Sequence, residues 1–106
     1  MYVKDLVIED GVVIDNAYRV YFTLVTQDGE HRMMEWVDKN YRLYRDNSSD
    51  MLKPGYTQIK SLLKDTKMYI HRLMDGLDAG IALQKKFGKE LTPQRWYSLF
   101  LNSRKR

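Results

Sequence analysis

Lys60, Lys64 and Lys67 stand at positions i, i+4 and i+7, with His71 one turn further on. On a helix they would make one basic ridge, suited to following phosphates, which attract lysine as a point charge. Lys53, Arg72, Lys85, Lys86, Lys89 and Arg95 lie in the same half of the chain, and Arg104-Lys105-Arg106 close it. The same residues also describe a plain solvated helix flank, its lysine stems lying over the edge of a core. Trp96 and Tyr97 precede the basic tail, so a backbone-gripping charge stands near rings able to stack on bases. The bland alternative puts Trp96 and Phe100, at i and i+4, in the core and leaves the tail to complement a helix dipole.

A second constellation is Asn40-Tyr41-Arg42-Leu43-Tyr44-Arg45-Asp46. On a strand, Tyr41, Leu43 and Arg45 face one way, and Arg42 and Tyr44 the other. Tyrosine and arginine are enriched at interface hot spots, but Glu35, Asp38, Asp46 and Asp50 surround the stretch and would repel phosphate. It therefore reads as an edge strand guarded by arginine, or as part of a protein-binding surface with Tyr21, Arg32 and Trp36.

Enzyme chemistry finds little purchase. The two histidines, His31 and His71, belong to no recognisable catalytic spacing, and there is no G-x-S-x-G, H-E-x-x-H or P-loop. Asp46-Asn47-Ser48-Ser49-Asp50 has the first oxygen-ligand spacings of a calcium loop. Met51 stands where that loop needs glycine, and Thr57 where it needs glutamate. With no cysteine, disulfides, thiolate metal sites and cysteine nucleophiles are excluded. The expectation is a non-enzyme with no cofactor and no metal.

Charge is unevenly laid out. Residues 1–52 carry six Lys/Arg against ten Asp/Glu, a net of −4, and residues 53–106 carry twelve against four, a net of +8. Such asymmetry points toward a polyanion or an acidic partner. An apolar fraction of 43% is enough for one packed core in 106 residues. No apolar run reaches membrane-spanning length and no signal-peptide core is present, so a cytoplasmic protein without membrane attachment is expected.

The elements that must position these residues follow from period and punctuation. Asp10-Gly11 and Asp28-Gly29 each sit between β-branched runs, the strongest short hairpin signal. They predict a three-stranded meander whose middle strand is Val12–Thr26, bent at residues 15–17, with a fourth strand over Tyr41–Arg45. A two-residue Asp28-Gly29 loop pairs Val25 with Arg32, Thr23 with Met34 and Tyr21 with Trp36. The other face then pairs Leu24 with Met33, Phe22 with Glu35 and Val20 with Val37.

Beyond Pro54-Gly55 the period becomes helical. Ile59, Leu62, Leu63, Ile70, Leu73, Met74, Leu77 and Ile81 share one face. An unbroken helix from Thr57 to Phe87 would overhang a domain of this size, so a break near Asp75-Gly76 is expected, or else an overhang packed on a second copy. Gly88 suits a C-terminal cap, and Thr92-Pro93 suits the start of a helix over Pro93–Asn102.

The sequence thus specifies an α+β domain over residues 1–106: a three- or four-stranded antiparallel sheet in 1–46, two or three helices in 56–103, and a basic tail at 104–106. Two functions fit it. One is binding of nucleic acid or a nucleoprotein complex through the basic helical half. The other is a protein-binding inhibitor or adaptor, of the viral or mobile-element accessory type, acting through the Tyr/Arg/Trp sheet surface. A sheet with apolar residues on both faces also permits a homodimer.

Overall fold

The computed structural model describes residues 1–14, 17–44, 53–62, 67–88 and 91–102. Three strands, β1 (Tyr2–Ile14), β2 (Ala17–Thr26) and β3 (Gly29–Val37), pair antiparallel in chain order, followed by α1 (Ile59–Leu62), α2 (Lys67–Phe87) and α3 (Pro93–Asn102). The α+β architecture is as the sequence implies, in one domain with a radius of gyration of 12.9 Å.

The first hairpin departs from expectation. Asp10-Gly11 lies inside β1, and the chain reverses between Ile14 and Ala17, which pair with each other. Val12, Val13 and Ile14 prolong the strand. A break in pairing between Glu9 and Ile14 absorbs the glycine, which in a strand interior marks irregularity as often as a turn.

The second hairpin forms where expected but two residues out of register. Thr26 pairs with Gly29, so Gln27-Asp28 make the turn, and Thr23 meets Arg32, Phe22 meets Met33 and Tyr21 meets Met34. The Thr26 hydroxyl accepts from the Asp28 N–H at 3.2 Å, and only Gly29, at φ 128°, takes a positive φ. A turn needing one such residue displaces the type I′ form, which needs two. Because the slip is even, every side chain keeps its predicted face.

β1 reaches the same core by a bulge. Lys4 pairs with Thr23 and Val7 with Tyr21, so Asp5 and Leu6 together oppose Phe22, with Asp5 at φ 56°. The extra residue reverses the alternation, which lets Val3 and Leu6 both be buried while Val7 stays 57% exposed.

The fourth strand shrinks to a single bridge, Leu43 with Val37. Asp38 is the reason. Its carboxylate accepts from the backbone N–H of Asn40 (2.8 Å) and Arg42 (3.0 Å), closing a tight turn with Tyr41 at φ 62°. The outer edge of β3 is bordered at its middle by Thr57, which accepts from Met34 N–H and donates to Arg32 C=O, each at 3.0 Å.

On the helix side, Val20, Phe22, Leu24, Met33 and Val37 pack against Leu73, Leu77, Ile81, Trp96 and Phe100. The expected break at Asp75-Gly76 is absent, and α2 passes through both Gly76 and Gly80. A Cβ at Gly76 would overlap the Phe100 ring, and one at Gly80 the Trp96 ring. The two glycines, one turn apart, form the groove that receives α3, so they serve close approach and not flexibility. Both predicted caps are present: Gly88 at φ 67° ends α2, and Thr92 Oγ1 accepts from Arg95 N–H at 3.2 Å to start α3.

Candidate interaction surface on the far sheet face

Alternation sends the odd-numbered residues of β2 and the even-numbered residues of β3 away from the helices. This far face carries Ala17, Arg19, Tyr21, Thr23 and Val25 beside Glu30, Arg32, Met34 and Trp36, with Lys4, Val7 and Glu9 from β1. Ala17, Met34 and Trp36 are buried there as a small second cluster, and Tyr21 and Tyr56 pack on it.

Tyr56 comes from outside the sheet. Pro54-Gly55 makes a reverse turn with Gly55 at φ 88° and Tyr56 N–H bonded to Lys53 C=O at 3.1 Å. Proline followed by a positive-φ glycine is the type II signature, and the turn places Lys53 and Tyr56 together. Thr57 then fixes the segment to the edge of β3.

The result is a layered array. The Tyr21 and Tyr56 rings meet edge to face at 5.3 Å. Lys53 Nζ lies 5.0 Å from the Tyr21 ring centroid, Arg32 Cζ 5.4 Å from that of Tyr56, and Arg19 Cζ 5.9 Å from that of Trp36. Arg19 is ion-paired with Glu9, and Lys4 with Glu30. The Glu30 carboxylate bonds the charged Lys4 ammonium and raises its pKa from the ordinary 10.5. Among the described residues Arg32 and Lys53 have no carboxylate partner, and both are exposed. The Tyr21 hydroxyl and Arg19 Nε are buried without a hydrogen-bond partner among the described residues. No protein-family model, curated protein or solved structure matches the chain.

Of the sheet residues singled out from sequence, Tyr21, Arg32 and Trp36 share this face, and Tyr41 and Arg42 do not; Tyr44 N–H donates to Trp36 C=O at 2.9 Å beside the core-facing Leu43. Tyr41 turns to the helix side, stacked on Tyr18 at 5.8 Å with Lys85 Nζ 5.6 Å from its ring. Arg42 and Tyr44 are exposed beyond the turn, and Arg45 lies outside the described residues. Arg19 and Tyr56 are not among the residues singled out from sequence, and Lys53 is there only as a cation of the basic half. Arg19 was legible from strand parity and Lys53 from the Pro-Gly turn, whereas the docking of that turn on β3 has no local signal.

Lys60 belongs to α1 and Lys67 opens α2, while Lys64, the middle member of the expected ridge, lies outside the described residues. His71 is exposed and Arg72 half-buried near the start of α2. Lys85 and Lys86 are exposed in its last turn, and Arg95 is exposed on α3. Lys89, Arg104, Lys105 and Arg106 lie outside the described residues, as does the segment 46–50. Among the described residues, no group of three His, Asp or Glu side chains is placed to hold a metal, and no helix is long and apolar enough to cross a membrane.

Proposed function

We propose that this chain is a non-enzymatic binding module that engages a protein partner through the far face of its sheet. The observation that carries the reading is the cation-over-tyrosine array of Arg32, Tyr56, Tyr21 and Lys53, resting on buried Met34 and Trp36. Aromatic rings with arginine over a dry base are the usual composition of an interface centre. A role as inhibitor or adaptor, inside the cell, suits such a module.

Affinity capture tests it. A folded wild-type bait is compared with an Arg32→Glu/Lys53→Glu variant and a Lys85→Glu/Lys86→Glu variant. The wild-type and helical variants are expected to retain a protein that the sheet variant loses. Retention by the sheet variant, or capture that disappears on nuclease treatment, would sink the reading.

The net +8 of residues 53–106 supports a second reading, nucleic-acid binding through the helical half. It predicts fluorescence-polarisation binding to short DNA or RNA, with log K falling by roughly 0.7–0.9 per phosphate contact per log unit of salt. That binding should weaken in the Lys85→Glu/Lys86→Glu variant. No binding at low salt retires it.

A further inference from the structure

The far face holds four cations and only two described carboxylates. Glu9 and Glu30 neutralise Arg19 and Lys4, which leaves Arg32 and Lys53 as the surplus positive charge. Both are exposed. Each lies over a half-buried tyrosine, and the two rings touch. A cation over a ring at an exposed site is held weakly, and a partner carboxylate that shields it from water as the interface closes offers a charge-assisted bond in its place. Resting on the protein-binding reading above, we propose that the partner presents an acidic segment with interspersed apolar residues. Its carboxylates draw Lys53 and Arg32 off Tyr21 and Tyr56, and the uncovered rings become the apolar contact.

Charge complementarity selects this occupant. Two separate cations answer an alternating acidic peptide, whose apolar side chains replace the cations over the rings. The Tyr21 hydroxyl, buried and without a partner among the described residues, gains an acceptor among the same carboxylates. A phosphate backbone suits the face less well. It would run past Glu9 and Glu30, and two rings packed edge to face leave no parallel platform for successive bases.

The test uses the full chain with ¹³C-labelled tyrosine, its Tyr21 and Tyr56 ring signals assigned through Tyr→Phe variants. The probe is a short peptide of alternating glutamate and leucine. A glutamine-for-glutamate version and a short single-stranded DNA are titrated in parallel at low salt. The acidic peptide is expected to shift both ring signals and the glutamine version to leave them. Arg32→Gln or Lys53→Gln should each weaken binding about fivefold, the range of one exposed ion pair. Rings unmoved by the acidic peptide, equal shifts with the glutamine version, or larger shifts with DNA would each overturn the proposal. If the rings stay still while capture in the preceding experiment still depends on Arg32 and Lys53, the acidic segment is wrong and the binding face is right. If capture does not depend on them, both fall.

Discussion

Glu35 stands between Met33 and Val37 on the helix side of the sheet, only 2% exposed, where a lone carboxylate would be costly. It is kept there by the chain that crosses it: Glu35 Oε1 accepts the Ile59 N–H at 2.7 Å, at the start of α1. Glu35→Ala is expected to destabilise by about 1–3 kcal/mol, the cost of a buried donor left unpaired, and Glu35→Gln by less, because its amide oxygen still accepts. Urea denaturation of the two variants checks the order. The Lys4–Glu30 pair is a contrasting case at the surface. The raised Lys4 pKa means that the pair's contribution is fully present below 10.5 and is lost as pH rises through the higher folded value. Exposed pairs contribute little, so stability measured between pH 7 and pH 10 should not change on its account. Neither partnership shows in the sequence, since Glu35 bonds a residue 24 positions away.

At the scale of elements, the glycines of α2 invite the wrong inference from propensity alone. Replacing a helical glycine by alanine ordinarily gains about 1 kcal/mol. At Gly76 and Gly80 the added methyl enters the space of Phe100 and Trp96, which are themselves stacked at 6.5 Å. Overpacking of this kind costs about 1–3 kcal/mol, so Gly80→Ala is expected to lower the melting temperature despite its better propensity. Thr92→Ala should cost about 1 kcal/mol through loss of the cap on α3. Both are read from thermal unfolding. Signals confined to one element were legible: the helical period, the Gly88 and Thr92-Pro93 caps, and the two sheet faces. The features that were not legible are set by a competing side chain or a distant contact. Thr26 decides the register of the second hairpin, Asp38 folds the expected fourth strand into a turn, and α3 explains the glycines of α2. The candidate surface divides in the same way: Tyr21, Arg32 and Trp36 follow from parity, while Lys53 and Tyr56 reach it through a docked turn.

For the molecule as a whole, a few polar bonds of long sequence separation join the sheet to the helices. Gln84 Nε2 donates to Leu6 C=O at 3.0 Å, Leu43 N–H donates to Asp78 Oδ1 at 2.7 Å, and Ile59 N–H donates to Glu35. The far face takes no part in them, so substitutions at Arg32 and Lys53 should leave the unfolding free energy within about 0.5 kcal/mol of wild type, the usual range for surface changes. The Asp5 bulge has a consequence for length variation. Without Asp5, Val3, Leu6 and Ile8 would alternate regularly with Lys4 and Val7, each on the side it already occupies. A one-residue deletion there is therefore compatible with the same fold, whereas one at Leu6 removes a buried side chain. The shortened protein would carry a border strand that is regular from Tyr2 to Glu9, the kind of segment that joins copies edge to edge. Deletion of Asp5 is expected to yield a folded chain that self-associates more strongly than wild type as concentration rises, measurable by light scattering.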